Sequence, residues 1–152
     1  MGKLTIIVAA LVLGFIHSTG VKASSSVTVS GISAGGYFAH QFHVAHSSWV
    51  KGAAILAAGP YACARDGVDT AFNRCMEIGE GVPTAEDSLR EMKLQARLKT
   101  IDPIAGLTGS KVYVMSGTAD RTVLTPVVRA LVKLYQVLGT SPVFEDTLRV
   151  GH

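Results

Sequence analysis

Apolar positions in this chain fall into short runs separated by polar, glycine-marked turns. The first run, Leu4 to Ile16, follows the basic start Met1-Gly2-Lys3 and gives way to a polar tract ending in Val21-Lys22-Ala23. About 13 apolar residues fall short of the roughly 20 that span a bilayer, and the small-x-small ending suits a signal-peptidase site. Residues 1–23 are therefore expected to be a signal peptide, with an exported chain, 24–152, starting at Ser24. The alternative is an uncleaved anchor, which the short apolar run disfavours, so no stable membrane anchor is expected; no cysteine lies near the cleavage point, so no lipid anchor is expected either.

Beyond Ser24 the pattern alternates. Val27 to Ser30 is a β-branched run that stops at Gly31, and Gly36 to Ser47 carries Tyr37, Phe38, Phe42 and Val44 as a helix would. Ala53 to Ala58 is a continuous apolar run closed by Gly59-Pro60, the signature of a strand buried on both faces. Cys63 to Gly81 reads as loop with a helical turn. Thr84 is a good N-cap for a helix of about 15 residues, with Glu86 and Asp87 in its first turn and Lys99 near its end. Lys111 to Ser116 predicts a strand, Thr125-Pro126 opens a helix that Gly139 closes, and Pro142 to Val150 predicts a last strand. Strand and helix taking turns predict an α/β fold, a parallel sheet with flanking helices.

Composition narrows the functional classes. Of 152 residues, 48% are hydrophobic and 16% charged, enough for a packed core. The net charge of +3 falls to +1 once Lys3 and Lys22 leave with the leader, and no basic stripe of the kind nucleic acid requires is present. Two cysteines exclude a four-cysteine zinc site. In an oxidising compartment Cys63 and Cys75 would form a disulfide; in a cytosolic protein they would be two buried thiols.

The candidate chemistry sits at strand ends. Gly31-Ile32-Ser33-Ala34-Gly35 matches the G-x-S-x-G nucleophile elbow, with a strand entering and a helix leaving. Such a turn exposes the Ser33 hydroxyl and aims the Ala34 N–H at the site as an oxyanion donor. The alternative is a glycine-rich turn whose serine caps the helix. A serine nucleophile needs a base, and the base an orienting acid. Asp120, in the loop after the Lys111 strand, suits the acid better than Asp102, Asp66 or Asp69, although a turn aspartate would also fit there. His17 lies in the leader. His40, His43 and His46 follow the elbow on its own helix and point backward from it, as packed or solvated histidines or, alternatively, an H-x-x-H-x-x-H zinc site. His152 remains as base, in the order Ser33, Asp120, His152 of α/β-hydrolases.

Val29 to Tyr37, His43 to Ser47, Ala58 to Cys63, Cys75-Met76, Ser116 to Asp120 and Gly151-His152 together resemble the extracellular poly(3-hydroxybutyrate) depolymerases. The resemblance implies an α/β-hydrolase catalytic domain cleaving polyester, with Ser33 as nucleophile, Asp120 as acid and His152 as base. Esterase, feruloyl-esterase and peptidase branches share the elbow, which leaves a general secreted carboxylesterase as the other enzymatic reading. A polymer-binding segment without activity is the non-enzymatic one. Tyr61, just past a strand tip, is expected at the substrate. No metal or organic cofactor is implied, and the expected partner is a polyester polymer or oligomer. The resembling enzymes are circularly permuted, with strands and a second oxyanion donor following the histidine. This chain is therefore expected to correspond to the N-terminal half of such a catalytic domain, with low activity by itself and an open sheet edge at the Val27 strand.

Overall fold

The computed structural model describes residues 26–65 and 67–152. The expected leader, residues 1–23, with His17 and the Ser24 start, lies outside the described residues, as does Asp66. Among the described residues no helix is long and apolar enough to cross a membrane.

Among the described residues, four parallel strands form one sheet in chain order: β1 (Val27–Ile32), β2 (Val50–Leu56), β3 (Lys111–Met115) and β4 (Val143–Glu145). Four α-helices connect or flank them: α1 (Ala34–Ala45), α2 (Val68–Cys75), α3 (Ala85–Arg97) and α4 (Thr125–Val137). The parallel α/β alternation read from the sequence is the one observed, and β1 is an edge strand among the described residues.

Several boundaries differ from expectation, each for a local reason. β1 runs on through Gly31 and Ile32, because both pair with β2 at Ile55 and Leu56. β2 begins at Val50 rather than Ala53, since Val50 is wholly buried and pairs with Val27. The Cys63–Gly81 stretch holds a full helix, α2, with Asp69 in its first turn, Arg74 in its last and the disulfide at its final residue, Cys75. Those charges complement the helix dipole. The last strand is three residues, not nine, because β3 ends at Met115 and leaves β4 only Tyr113 to Met115 as ladder partners.

Packing follows the pattern of apolar positions. Ile55, Val112 and Val114 from the sheet meet Val127, Val128, Leu131 and Tyr135 of α4. A second cluster joins Val44, Met92, Leu107 and Leu134, with Tyr61 packed against it. β3 alternates buried and exposed positions, so one sheet face is covered and the other, at Tyr113, is open among the described residues. Thr84 caps α3 by accepting from the Asp87 N–H at 3.0 Å, a contact that contributes about 1 kcal/mol.

Candidate active site

Three loops leave the C-terminal ends of parallel strands and converge, the location where open α/β sheets place their chemistry. The first is the turn from β1 into α1. Ser33 there has φ 55° and ψ −126°, a backbone state that costs a non-glycine residue about 1–3 kcal/mol. Its N–H donates to the Leu56 carbonyl at 3.0 Å and its carbonyl accepts from the Tyr37 N–H at 2.9 Å, which hold the strained residue between β2 and α1. A Cβ on Gly31 would stand 2.2 Å from the Gly35 carbonyl oxygen, and one on Gly36 would stand 2.7 Å from the Leu56 oxygen. Gly35 itself has open space where a Cβ would go, so the close approach falls on Gly31 and Gly36.

Ser33, Asp120 and His152 are brought together. Asp120 follows β3, and its carboxylate is buried. One oxygen accepts the N–H groups of Thr122 at 2.8 Å and Val123 at 3.0 Å. The other faces His152 Nδ1 at 3.0 Å, and His152 Nε2 lies 2.7 Å from Ser33 Oγ. Burial pushes the Asp120 carboxyl up, but the hydrogen bonds from His152, Val123 and Thr122 outweigh it and hold the group below the usual aspartate value. The carboxylate is thus ionised and already saturated on one oxygen. That network selects one imidazole tautomer, with Nδ1–H donating to Asp120 and Nε2 accepting the Ser33 O–H.

His152 is positioned by the segment that follows β4. The N–H groups of Ser116, Thr118 and Ala119 donate to the carbonyls of Glu145, Leu148 and Val150 at 2.9, 2.9 and 3.1 Å. The acid-bearing loop and the base-bearing segment therefore run side by side. The Ala34 N–H, at the first position of α1, has no intramolecular acceptor among the described residues.

The other candidates lie elsewhere. Asp102 accepts from the backbone N–H and the hydroxyl of Ser48, bracing the turn before β2. His40 and His43 are fully buried, each with Nδ1 on the Tyr135 hydroxyl, at 2.9 and 2.8 Å, while His46 packs against Phe42 and Trp49. No cluster of three or more metal-ligating side chains occurs among the described residues. Tyr61 is half-buried, edge-on to His40, with its carbonyl accepting from Ser88 Oγ at 2.7 Å. Cys63 and Cys75 form a disulfide, and Tyr37 ties it to the elbow helix by donating its hydroxyl to the Cys75 carbonyl. Gly117 lies within the Ser116 to Asp120 motif, but its need to lack a side chain comes from the path of Val150, which local sequence does not encode.

No protein-family model matches the chain. Curated relatives do. A poly(3-hydroxybutyrate) depolymerase of Delftia acidovorans is 43% identical over 131 residues, 84% of this chain and 26% of the relative. This chain is homologous to part of the poly(3-hydroxybutyrate) depolymerases. A polyhydroxybutyrate depolymerase of Talaromyces funiculosus is 37% identical over 100 residues, 65% of this chain and 28% of that protein. The chain spans about a quarter of the length of these curated relatives. Among solved structures, a PHB depolymerase from Penicillium funiculosum matches with a TM-score of 0.70 at 30% identity, over 84% of this chain and 39% of that one. A serine-to-alanine PHB depolymerase complexed with an R3HB trimer matches with a TM-score of 0.71 over the same shares. The architecture is accordingly α/β-hydrolase-like over the part of the depolymerase fold that this chain represents.

Proposed function

We propose that this chain carries the catalytic Ser-His-Asp set of a secreted serine esterase that hydrolyses poly(3-hydroxybutyrate)-type polyesters. The observation that supports this most is the unbroken line of hydrogen bonds from Ser33 through His152 to Asp120. Homology to the depolymerases supports the ester and polymer class. Residues 24–152 are read as part of the catalytic domain, and residues 1–23 as its export signal. The disulfide, which persists in oxidising compartments, agrees with secretion.

In this mechanism His152 Nε2 takes the Ser33 proton as Oγ attacks the ester carbonyl. The Asp120 carboxylate stabilises the resulting imidazolium, and the Ala34 N–H donates to the oxyanion, a contact of a kind worth about 100- to 1,000-fold in rate. His152 then protonates the departing alcohol, leaving the acyl group on Ser33. Water, deprotonated by His152, releases the acid and restores the serine. The strain stored at Ser33 keeps Oγ forward of the sheet throughout. Tyr61 is assigned to the wall that receives the substrate. No step draws on a metal or organic cofactor.

The test uses protein recovered from the culture medium of its host, given amorphous poly(3-hydroxybutyrate) granules and a short soluble ester. Release of soluble 3-hydroxy acids from granules, lost in Ser33→Ala, is the expected result. Hydrolysis of the soluble ester with granules untouched would replace the polyester reading by that of a general carboxylesterase.

A further inference from the structure

A cavity of about 410 Å³ lies between the disulfide loop, α2 and α3, and its charge is lopsided. Arg65, Arg74, Arg90 and Arg97 face the two carboxylates Asp87 and Glu91. Asp87 is shared by Arg74, at 2.7 Å, and Arg90, while Glu91 pairs with Arg65 and also accepts from Gln95 Nε2 at 2.7 Å. Among the described residues that line the site, four guanidinium groups thus meet two carboxylates, and Arg97 is the one without an ion pair.

The existing pairs do not lock the site. Arg65 and Arg90 side chains are 57% and 72% exposed, and ion pairs that open to water are weak enough to exchange partners. A guanidinium offers a planar fork of donors that matches a carboxylate at two points. Beside the arginines, Tyr61, Pro83 and Leu94 supply an apolar wall. The combination fits a ligand with one anionic head on a short apolar body. The loop that holds Tyr61 leaves the C-terminal end of β2, the end of the sheet at which Ser33, Asp120 and His152 meet.

The geometry points to a second binding site, specific for the carboxylate terminus of a hydroxy-acid oligomer. This rests on the polyester reading above for its substrate class. Each hydrolysed ester consumes one water and yields one alcohol and one carboxylic acid, ionised at neutral pH, so the reaction itself generates the ligand. Captured by Arg97 and its neighbours, a released oligomer or a chain end would be held by its acid group while its methyl-bearing units lie along the apolar wall.

The experiment is calorimetric titration of the Ser33→Ala protein, which cannot turn over its ligand, with linear 3-hydroxybutyrate trimer, the methyl ester of that trimer, and inorganic phosphate. The free acid is expected to bind at least tenfold more tightly than the methyl ester or phosphate. Arg97→Ala should weaken acid binding at least tenfold, Arg97→Lys should restore part of it, and the circular dichroism of both variants should match the parent. Equal binding of acid and methyl ester, equal binding of phosphate, or an Arg97→Ala variant that binds the acid unchanged would overturn the site. Granule hydrolysis by the wild-type protein is read in parallel. Hydrolysis without any acid-over-ester preference overturns the second site and leaves the polyester reading standing. A clear preference without hydrolysis sustains the carboxylate site and removes the polyester substrate.

Discussion

A Cβ placed on Gly117 would stand 2.2 Å from the carbonyl oxygen of Val150. The contact is with backbone, so a side chain there must displace the segment that carries His152. Gly117→Ala is accordingly expected to move the base by a fraction of an ångström or more. Misplacement by about 1 Å costs roughly 100-fold in rate. Turnover of a short soluble ester should fall by at least tenfold while the far-ultraviolet spectrum is preserved. A loss smaller than threefold would show that the Val150 segment does not position His152.

The elbow makes a sharper contrast within five residues. Gly31→Ala drives a Cβ into the Gly35 backbone and is expected to abolish soluble expression or lower stability by several kcal/mol, about the scale of severe core disruption. Gly35→Ala meets nothing within 4 Å and sits inside α1, where alanine exceeds glycine by about 0.5–1 kcal/mol. Its thermal midpoint should equal or exceed that of the parent. Reversal of this order would contradict the packing described for the turn.

Much of this site was legible in the sequence because each catalytic candidate sits next to a local signal. Ser33 lies between glycines, Asp120 follows an apolar strand, and His152 comes after the last extended run. The structure adds what local pattern does not encode. The buried fate of His40 and His43 depends on Tyr135, more than ninety residues away. The helix α2 is eight residues long, too short for periodicity to announce, and its last residue, Cys75, is held by a disulfide to Cys63. The end of β4 is set by the length of β3, a partner property invisible in residues 142–150.

The buried histidines make stability fall with acid. Burial, reinforced by His43, lowers His40 from 6.5 to about 3, and burial with nearby Lys51 lowers His43 to about 4. The unfolded chain therefore binds more protons than the folded one below pH 6.5, and the stability held above that value is lost as pH falls toward the folded values. Each imidazole contributes a slope of about 1.4 kcal/mol per pH unit in that window. Asp102 and Asp120, lowered from 3.8, act only in stronger acid. The urea midpoint should drop between about pH 7 and pH 5. A flat midpoint over that range would mean that the two rings are not buried as neutral groups.

Tyr135 holds both rings with one hydroxyl, donating to one Nδ1 and accepting from the other. Tyr135→Phe removes the shared partner and is expected to cost about 1–3 kcal/mol at neutral pH, the penalty for leaving buried polar groups unpaired. Chemical denaturation measures it directly. An unchanged midpoint would contradict the network.

The disulfide closes a loop with a sequence separation of 12, for which chain entropy gives about 3 kcal/mol. Replacing Cys63 and Cys75 by serine should lower stability by about that amount, and mass analysis without reductant should find no alkylatable thiol in the parent. Two reactive thiols would contradict the pairing.

Covalent labelling tests the central claim most directly. Incubation with an organophosphate ester should phosphorylate the protein once, at the peptide containing Ser33, and at a rate that falls steeply in Asp120→Asn, where the imidazole loses its orienting carboxylate. Ser33→Ala should take up no label and hydrolyse no ester. Stoichiometric labelling of Ser33→Ala, or a wild-type protein that stays unlabelled at Ser33, would contradict the assignment of Ser33, His152 and Asp120 as one catalytic unit.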